Sequence, residues 1–233
     1  MRITGLTRRL SVALACCLFA LSAGSSPAGG AGPAGTGPGD TAAPVIPAAA
    51  EVKGVYLTAW NAGNPDFLKG ILDLIDRTEL NAVVVDVKDD SGRVTIATDE
   101  ATAVAAGAVR PFLTYPRAFT ADLHGRGIYA IARIVAFKDP IVAPANPDWA
   151  VQHASGGIWR DWNGVAWLNP CSREAWDYVI RIARAAAEAG FDEIQFDYVR
   201  FPTDGDLSAT RYPGLDGRAY AQVVADFLAH ARE

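Results

Sequence analysis

Cysteine is scarce in this chain: there are three in 233 residues, and Cys16 and Cys17 both fall in the first apolar run. Cys171 is then alone, so the folded part has no internal disulfide and must be held by its core. No His lies near Cys171 in sequence, and it reads as a small buried hydrophobe rather than a nucleophile. Histidine is equally sparse. His124, His153 and His230 are scattered, with no His-x-His or His-Glu-x-x-His spacing, so no metal or other cofactor is expected. No serine stands in a Gly-x-Ser-x-Gly elbow. Net charge is −5 and no basic run follows the amino-terminal region, which argues against nucleic acid or an anionic membrane surface as partner.

The amino terminus carries Arg2, Arg8 and Arg9, an apolar run from Leu10 to Leu21, then Ala23, Gly24, Ser25 and Ser26. This is the pattern of a secretory signal peptide over residues 1–26. The alternative, an uncleaved anchor, is disfavoured because the run is too short to cross a bilayer. Stable membrane insertion after cleavage is therefore not expected. Residues 27–50 are mostly Pro, Gly, Ala and Thr with almost no charge, a composition that cannot bury enough apolar surface to offset its ordering entropy. They read as a disordered linker, leaving 51–233 as the folded part of a secreted or cell-envelope protein.

Four runs in that part are rich in Val and Ile and nearly continuously apolar: Lys53–Ala59, Ala82–Lys88, Tyr129–Phe137 and Glu193–Val199. Such runs suit parallel strands covered on both faces. Helix signals separate them. Asn64-Pro65 supplies a cap and a first-turn proline ahead of Phe67, Leu68, Ile71, Leu72 and Ile75. Further helices are expected around Phe119 and Leu123, from about Asn169 or Ser172 to Gly190, and from about Asp216 through Leu228. Alternating strands and helices mean an α/β fold with a parallel sheet. The choice lies between a barrel and an open doubly wound sheet. Thr58-Ala59-Trp60-Asn61 is bulky where a nucleotide-binding sheet needs glycines, and polar residues sit at strand ends, so a (β/α)8 TIM barrel is expected. A full barrel takes about 250 residues. Only about its first four βα units fit between Glu51 and Glu233, so the expectation is the amino-terminal part of a larger barrel.

The chemistry-bearing residues concentrate at strand ends. Two-residue periodicity puts Asp86 and Lys88 on one face of the second strand, and Gln195 and Asp197 on one face of the fourth. Arg133 interrupts the third, where an unpaired charge would be costly. An Arg beside Asp197 would keep it ionised, as a nucleophile or a stabiliser of positive charge requires. Glycoside hydrolysis has that demand, because its transition state is oxocarbenium-like. The alternative is a buried ion network of Asp86, Lys88, Arg133 and Asp197 that merely plugs the barrel. The segment from Lys138 to Asn169 reads as one long loop holding Trp149, Trp159, Trp162 and Trp167, four of the six tryptophans. With Trp60 they are candidate sugar-stacking platforms or, alternatively, anchors of the loop.

The segments KGVYLTAW, NAVVVDVKDD, NPDWAVQHASGG, WLNP and GFDEIQFDYVRFP resemble the bacterial TIM-barrel family of glycoside-hydrolase-like domains long known as a domain of unknown function. The resemblance covers nearly all of 51–204. It implies a carbohydrate-active barrel distantly related to alpha-amylase-type glycoside hydrolases, acting on a bacterial wall or extracellular polysaccharide. It further implies a strand-four acid as nucleophile, which falls on Asp197, and a general acid from a later strand. Asp86 is expected as the second catalytic carboxyl. Lys88, Arg133, Gln195, Tyr198 and Arg200, with the tryptophans, are expected to bind substrate. The competing expectation is a non-catalytic carbohydrate-binding barrel, or an inactive fragment lacking the general acid.

Overall fold

The computed structural model describes residues 51–233; the expected signal peptide (1–26) and linker (27–50) lie outside the described residues. Along the chain come β1 (Gly54–Leu57), the one-turn helix α1 (Ala59–Ala62), α2 (Pro65–Ile75), β2 (Ala82–Lys88), β3 (Val94–Ile96), α3 (Ala101–Ala105), β4 (Val109–Leu113), α4 (Pro116–Gly125) and β5 (Tyr129–Val135). They are followed by α5 (Val142–Ala145), β6 (Gln152–His153), α6 (Arg173–Glu188), β7 (Glu193–Asp197), β8 (Thr210–Arg211) and α7 (Tyr220–His230). No described helix is long and apolar enough to cross a membrane.

The fold is mixed α/β around a parallel sheet. Strands β1, β2, β5 and β7 are the four apolar runs, and they pair in parallel in that order. Among the described residues the sheet stays open rather than closing into a barrel, with β7 at one end and, beyond β2 on the other side, both β1 and the β3–β4 pair. It also holds two strands that sequence periodicity does not show. β3 pairs antiparallel with the end of β2 at Lys88–Val94, and β4 runs alongside β3. With α3 they form a small insertion whose elements, three to five residues each, are too short to establish a period.

Capping fixes the helix starts. The Asn64 side chain accepts from the backbone N–H groups of Asp66 and Phe67 ahead of α2, with Pro65 at its first position. Ser172 does the same for α6 by accepting from Ala175, and α6 stops at Gly190, whose φ of 95° ends the turn in the left-handed region. The apolar stripes of α2, α4, α6 and α7 cover one face of the sheet, against Val83, Val85, Val87, Ala130, Ala132 and Ile134. Phe227 of α7 packs edge-on against Phe137, Trp176 and Phe196 at 5.2–5.8 Å, each pair worth about 0.5–1.5 kcal/mol beyond area burial.

The opposite face is different. Near the strands' amino ends it holds a small apolar group of Ala82, Val84, Tyr129 and Ile131, and toward their carboxyl ends it turns polar. Asp86, Arg133 and Gln195 lie in one row across β2, β5 and β7, and Asp197 follows Gln195 by one period on the same face. Every residue of β7 is partly exposed, whereas β2 and β5 are almost wholly buried.

The segment 138–169 is not a structureless loop. It contains α5, a 3-10 turn at Pro147–Trp149, and a ladder of paired residues (Lys138–Trp167, Ala150–Leu168, Gln152–Ile158 and Arg160–Ala166), while β6 pairs with β8. Two of its tryptophans drive that order. Trp159 is buried and donates its indole N–H to the Asp206 carbonyl at 2.9 Å, while Gly205 passes so close that a Cβ there would overlap the ring. Trp167 is buried as well and donates to Asp161.

Candidate active site

Three strand ends and one tyrosine converge on a single ion cluster. Arg133 of β5 reaches sideways in both directions. Its Nη1 donates to Asp86 Oδ1 of β2 at 2.5 Å, while Nε and Nη2 donate to Asp197 Oδ2 of β7 at 2.9 and 2.5 Å. Tyr56 of β1 closes the other side by donating its hydroxyl to Asp86 Oδ2 at 2.5 Å. The Arg133 guanidinium lies 5.7 Å from the Tyr56 ring centre. All four groups sit toward the carboxyl ends of parallel strands, where α/β barrels carry their chemistry.

The two carboxylates are not equivalent. Asp86 has 6% of its side chain exposed, and both its oxygens are engaged. Asp197 is 22% exposed. Its Oδ2 takes both Arg133 bonds, and its Oδ1 takes only the backbone N–H of Tyr198 at 2.6 Å. A carboxylate has about four acceptor positions, so one on Oδ1 stays free. Asp86 accepts only one bond at each oxygen but is almost sealed from solvent, so the more exposed Asp197 is the carboxylate able to meet a ligand, and Asp86 is placed to act through Arg133. Tyr198 makes this geometry with φ at +51°, in the left-handed region that a bulky side chain seldom adopts. Strain of this kind persists where its surroundings enforce it, often at functional sites.

Electrostatics follow from that packing. Burial raises the Asp86 carboxyl above the usual range, against the hydrogen bonds from Tyr56 and Arg133, which lower it. Burial, then the hydrogen bond to Asp86, holds the Tyr56 hydroxyl well above its ordinary value, so it remains a donor. Burial lowers Arg133, but its bonds to Asp86 and Asp197 outweigh that and keep it cationic. From its ordinary value up to its raised one, Asp86 binds more proton folded than unfolded. Its contribution to stability therefore falls as pH rises through that window. Tyr56→Phe deletes a bond that favours the ionised form, so Asp86 should protonate at still higher pH. Carboxyl carbon NMR should record an upward shift of its titration midpoint, and an unmoved midpoint would remove Tyr56 from the cluster's electrostatics.

The other expected site residues divide. Gln195 is in register with Arg133 and partly exposed beside the cluster. Tyr198, Trp167 and Arg200 form a stack at the end of β7, with the guanidinium 5.0 and 5.1 Å from the two ring centres. Trp162 is exposed at its hairpin tip, and Trp149 is half-buried on the core. Trp60 is exposed, edge-on to Phe112 of β4, on the far flank of the sheet from β7. Trp159 and Trp167 present almost no surface, so they anchor their loop and do not offer a face to a sugar.

Lys88 is the clearest correction. It was expected on the face of Asp86, but the register of β2 against β5 slips between Asp86 and Lys88. This β-bulge sends Lys88 to the helix-covered side. There both it and Asp139 are 0% exposed, with Nζ 3.0 Å from Asp139 Oδ2 and 5.9 Å from the Tyr178 ring centre of α6. Its hydrogen bond goes to the Val135 carbonyl at 2.8 Å; the approach to Oδ2 is ionic and not aligned as a hydrogen bond. Lys88 cannot touch substrate. Tyr56, Asp139 and Lys138 are the groups that sequence reasoning missed. A separate cleft of about 450 Å³, lined by Asp99, Tyr115, Arg117 and Glu188 among others, shares no residue with the ion cluster. No group of three or more His, Cys, Asp or Glu placed to hold a metal ion occurs among the described residues.

A family profile described as "putative glycosyl hydrolase domain" matches residues 54–233, which hold every element and every residue of the cluster. The chain belongs to that family. A crystal structure of a hypothetical protein from Ruminiclostridium thermocellum ATCC 27405 is 38% identical, with a TM-score of 0.72 over 76% of this chain and 90% of that one. Two more distant structures share the fold alone. One is a Listeria monocytogenes EGD-e protein solved with α- and β-D-glucose, magnesium and calcium (14% identity, TM-score 0.52, covering 78% of this chain and 20% of that one). The other is a GH31 alpha-xylosidase from a soil metagenome complexed with xylose (18% identity, TM-score 0.52, covering 82% and 29%). This member of the glycosyl hydrolase domain family thus spans under a third of those two proteins. None of the curated proteins matches it significantly.

Proposed function

We propose that this glycosyl hydrolase family domain cleaves a glycosidic bond with Asp197 as the nucleophile or charge stabiliser. The observation that carries the reading is the Asp197 carboxylate itself. It is partly open at the end of β7, takes two bonds from Arg133, and keeps one Oδ1 position free. In the retaining form of the reaction Oδ1 attacks the anomeric carbon as the bond to the leaving oxygen breaks, and that oxygen takes a proton from a general acid. Asp86 is not assigned that proton, because it is almost wholly buried, with Tyr56 and Arg133 bonded one to each of its oxygens. It orients Arg133 instead. In this reading β1, β2, β5 and β7 are consecutive strands of a (β/α)8 barrel, with the polar face toward its lumen. The substrate is a bacterial wall or extracellular polysaccharide, met after export by the amino-terminal signal.

A panel of 2-deoxy-2-fluoro glycosides with activated leaving groups tests the assignment, because such groups depart without a general acid. A stable sugar adduct should appear on Asp197, located by mass spectrometry. An adduct on another carboxyl, or cleavage across the panel with no adduct, would remove Asp197 as nucleophile. The engagement of both Asp86 oxygens favours one rival, a domain that binds glycan without cutting it; no adduct and no cleavage, with glycan still bound, is its signature.

A further inference from the structure

Two guanidinium groups stand at the site, and only one is satisfied. All three Arg133 nitrogens donate to carboxylates. Arg200, three residues beyond Asp197 and half-buried, pairs with no carboxylate among the described residues. Its Nη1 donates to the Phe201 carbonyl at 3.2 Å and to Thr203 Oγ1 at 2.9 Å, while Nε and Nη2 meet no described acceptor. The face of the group is already in use, over Trp167 and Tyr198. Stacking of the face leaves the edge free, and Nε with Nη2 form the fork that meets a carboxylate through two parallel bonds.

We infer that this fork recognises a carboxylate on the glycan, so that the substrate is an acidic polysaccharide carrying a uronate or an acid-substituted sugar. The inference rests on the glycan-cleaving reading of the site and adds the substrate class. Local charge supports a single negative group over a phosphate dianion. Lys138, which lies 5.1 Å from the Tyr198 ring centre, is already paired with Asp90 at 3.0 Å. Arg133 is shared by Asp86 and Asp197, so Arg200 is the one spare cation among the charges named at the site. Asp197 itself, and Asp161 at the edge of Trp167, would repel an acid; an unpaired Arg200 is what admits one.

The test is binding of the full chain to an array of uronate-containing oligosaccharides, each beside its carboxyl-reduced counterpart and with phosphorylated glycans alongside. The acidic member should be retained about tenfold to a hundredfold more tightly, the range for hydrogen bonds to a charged group. That preference should weaken with salt. Arg200→Gln should abolish the preference and Arg200→Lys should restore part of it, with far-UV circular dichroism checking that each variant is folded. Equal retention of acid and reduced forms by the unmutated chain overturns the inference, as does a preference for phosphorylated glycans or one that survives Arg200→Gln. Because the fluoro-glycoside adduct on Asp197 is scored separately, an adduct without acid preference sinks this inference alone. Neither adduct nor any retained glycan sinks both readings.

Discussion

Asp197→Asn should lower turnover of whichever activated glycoside the unmutated chain accepts by about a thousandfold or more, at least the effect of removing one preorganised transition-state partner. The amide keeps the shape of the side chain but cannot attack and carries no charge against the oxocarbenium-like carbon. Arg133 would still be held by Asp86, so the cluster should remain assembled. Ligand affinity should change far less than turnover, because the lost interaction is made chiefly in the transition state. Initial rates against substrate concentration separate the two. Turnover within a few-fold of the unmutated rate would exclude Asp197 from the chemistry.

Lys88→Met carries the largest expected effect on stability, about 3–5 kcal/mol, because it strands a fully buried Asp139 without its counter-charge. In a domain of this size that corresponds to a melting point lowered by roughly 6–20 °C. The stem of lysine is replaced by apolar volume of similar length, so packing against Tyr178 contributes little to the loss. Adding Asp139→Asn should recover most of it. The neutral amide no longer needs a cation, and its oxygen can still accept from the Ile141 and Val142 N–H groups at the start of α5, as Asp139 Oδ1 does at 3.0 and 2.7 Å. Thermal and urea melts of the two single variants and the double close the cycle. A single-variant loss below about 1 kcal/mol, the scale of an exposed pair, would show that the pair is not needed for stability.

Much of this site is legible in the residues. The runs that become β2 and β5 are too apolar and too rich in Val and Ile to be anything but buried strands, so a charged residue inside one had to find a partner. That logic brings Arg133 to acids on neighbouring strands and puts Asp197 at the end of its own. It fails where it relied on strict period two: one extra residue in β2 after Asp86 turns Lys88 to the opposite face, and nothing in AVVVDVK marks the slip. Tyr56 was missed for a related cause. It meets Asp86 across thirty residues, in a parallel register that a single sequence does not express. The tryptophans show a third limit. Composition says that the segment holding them is ordered, but whether a ring packs inward like Trp159 or outward like Trp162 depends on chain passing above it, here Gly205 and Asp206.

By itself the sequence determined the four main strands and the four longer helices, that those four strands run parallel, and that an acid closes the fourth of them. Local periodicity, capping residues and the cost of buried charge decide those matters within a few turns of chain. The tertiary structure alone decided which acid stays open to a ligand, which lysine is sealed away, and which arginine is left with a free edge. Those outcomes are set by register, by a bulge and by contacts between residues tens of positions apart, and no local pattern encodes them.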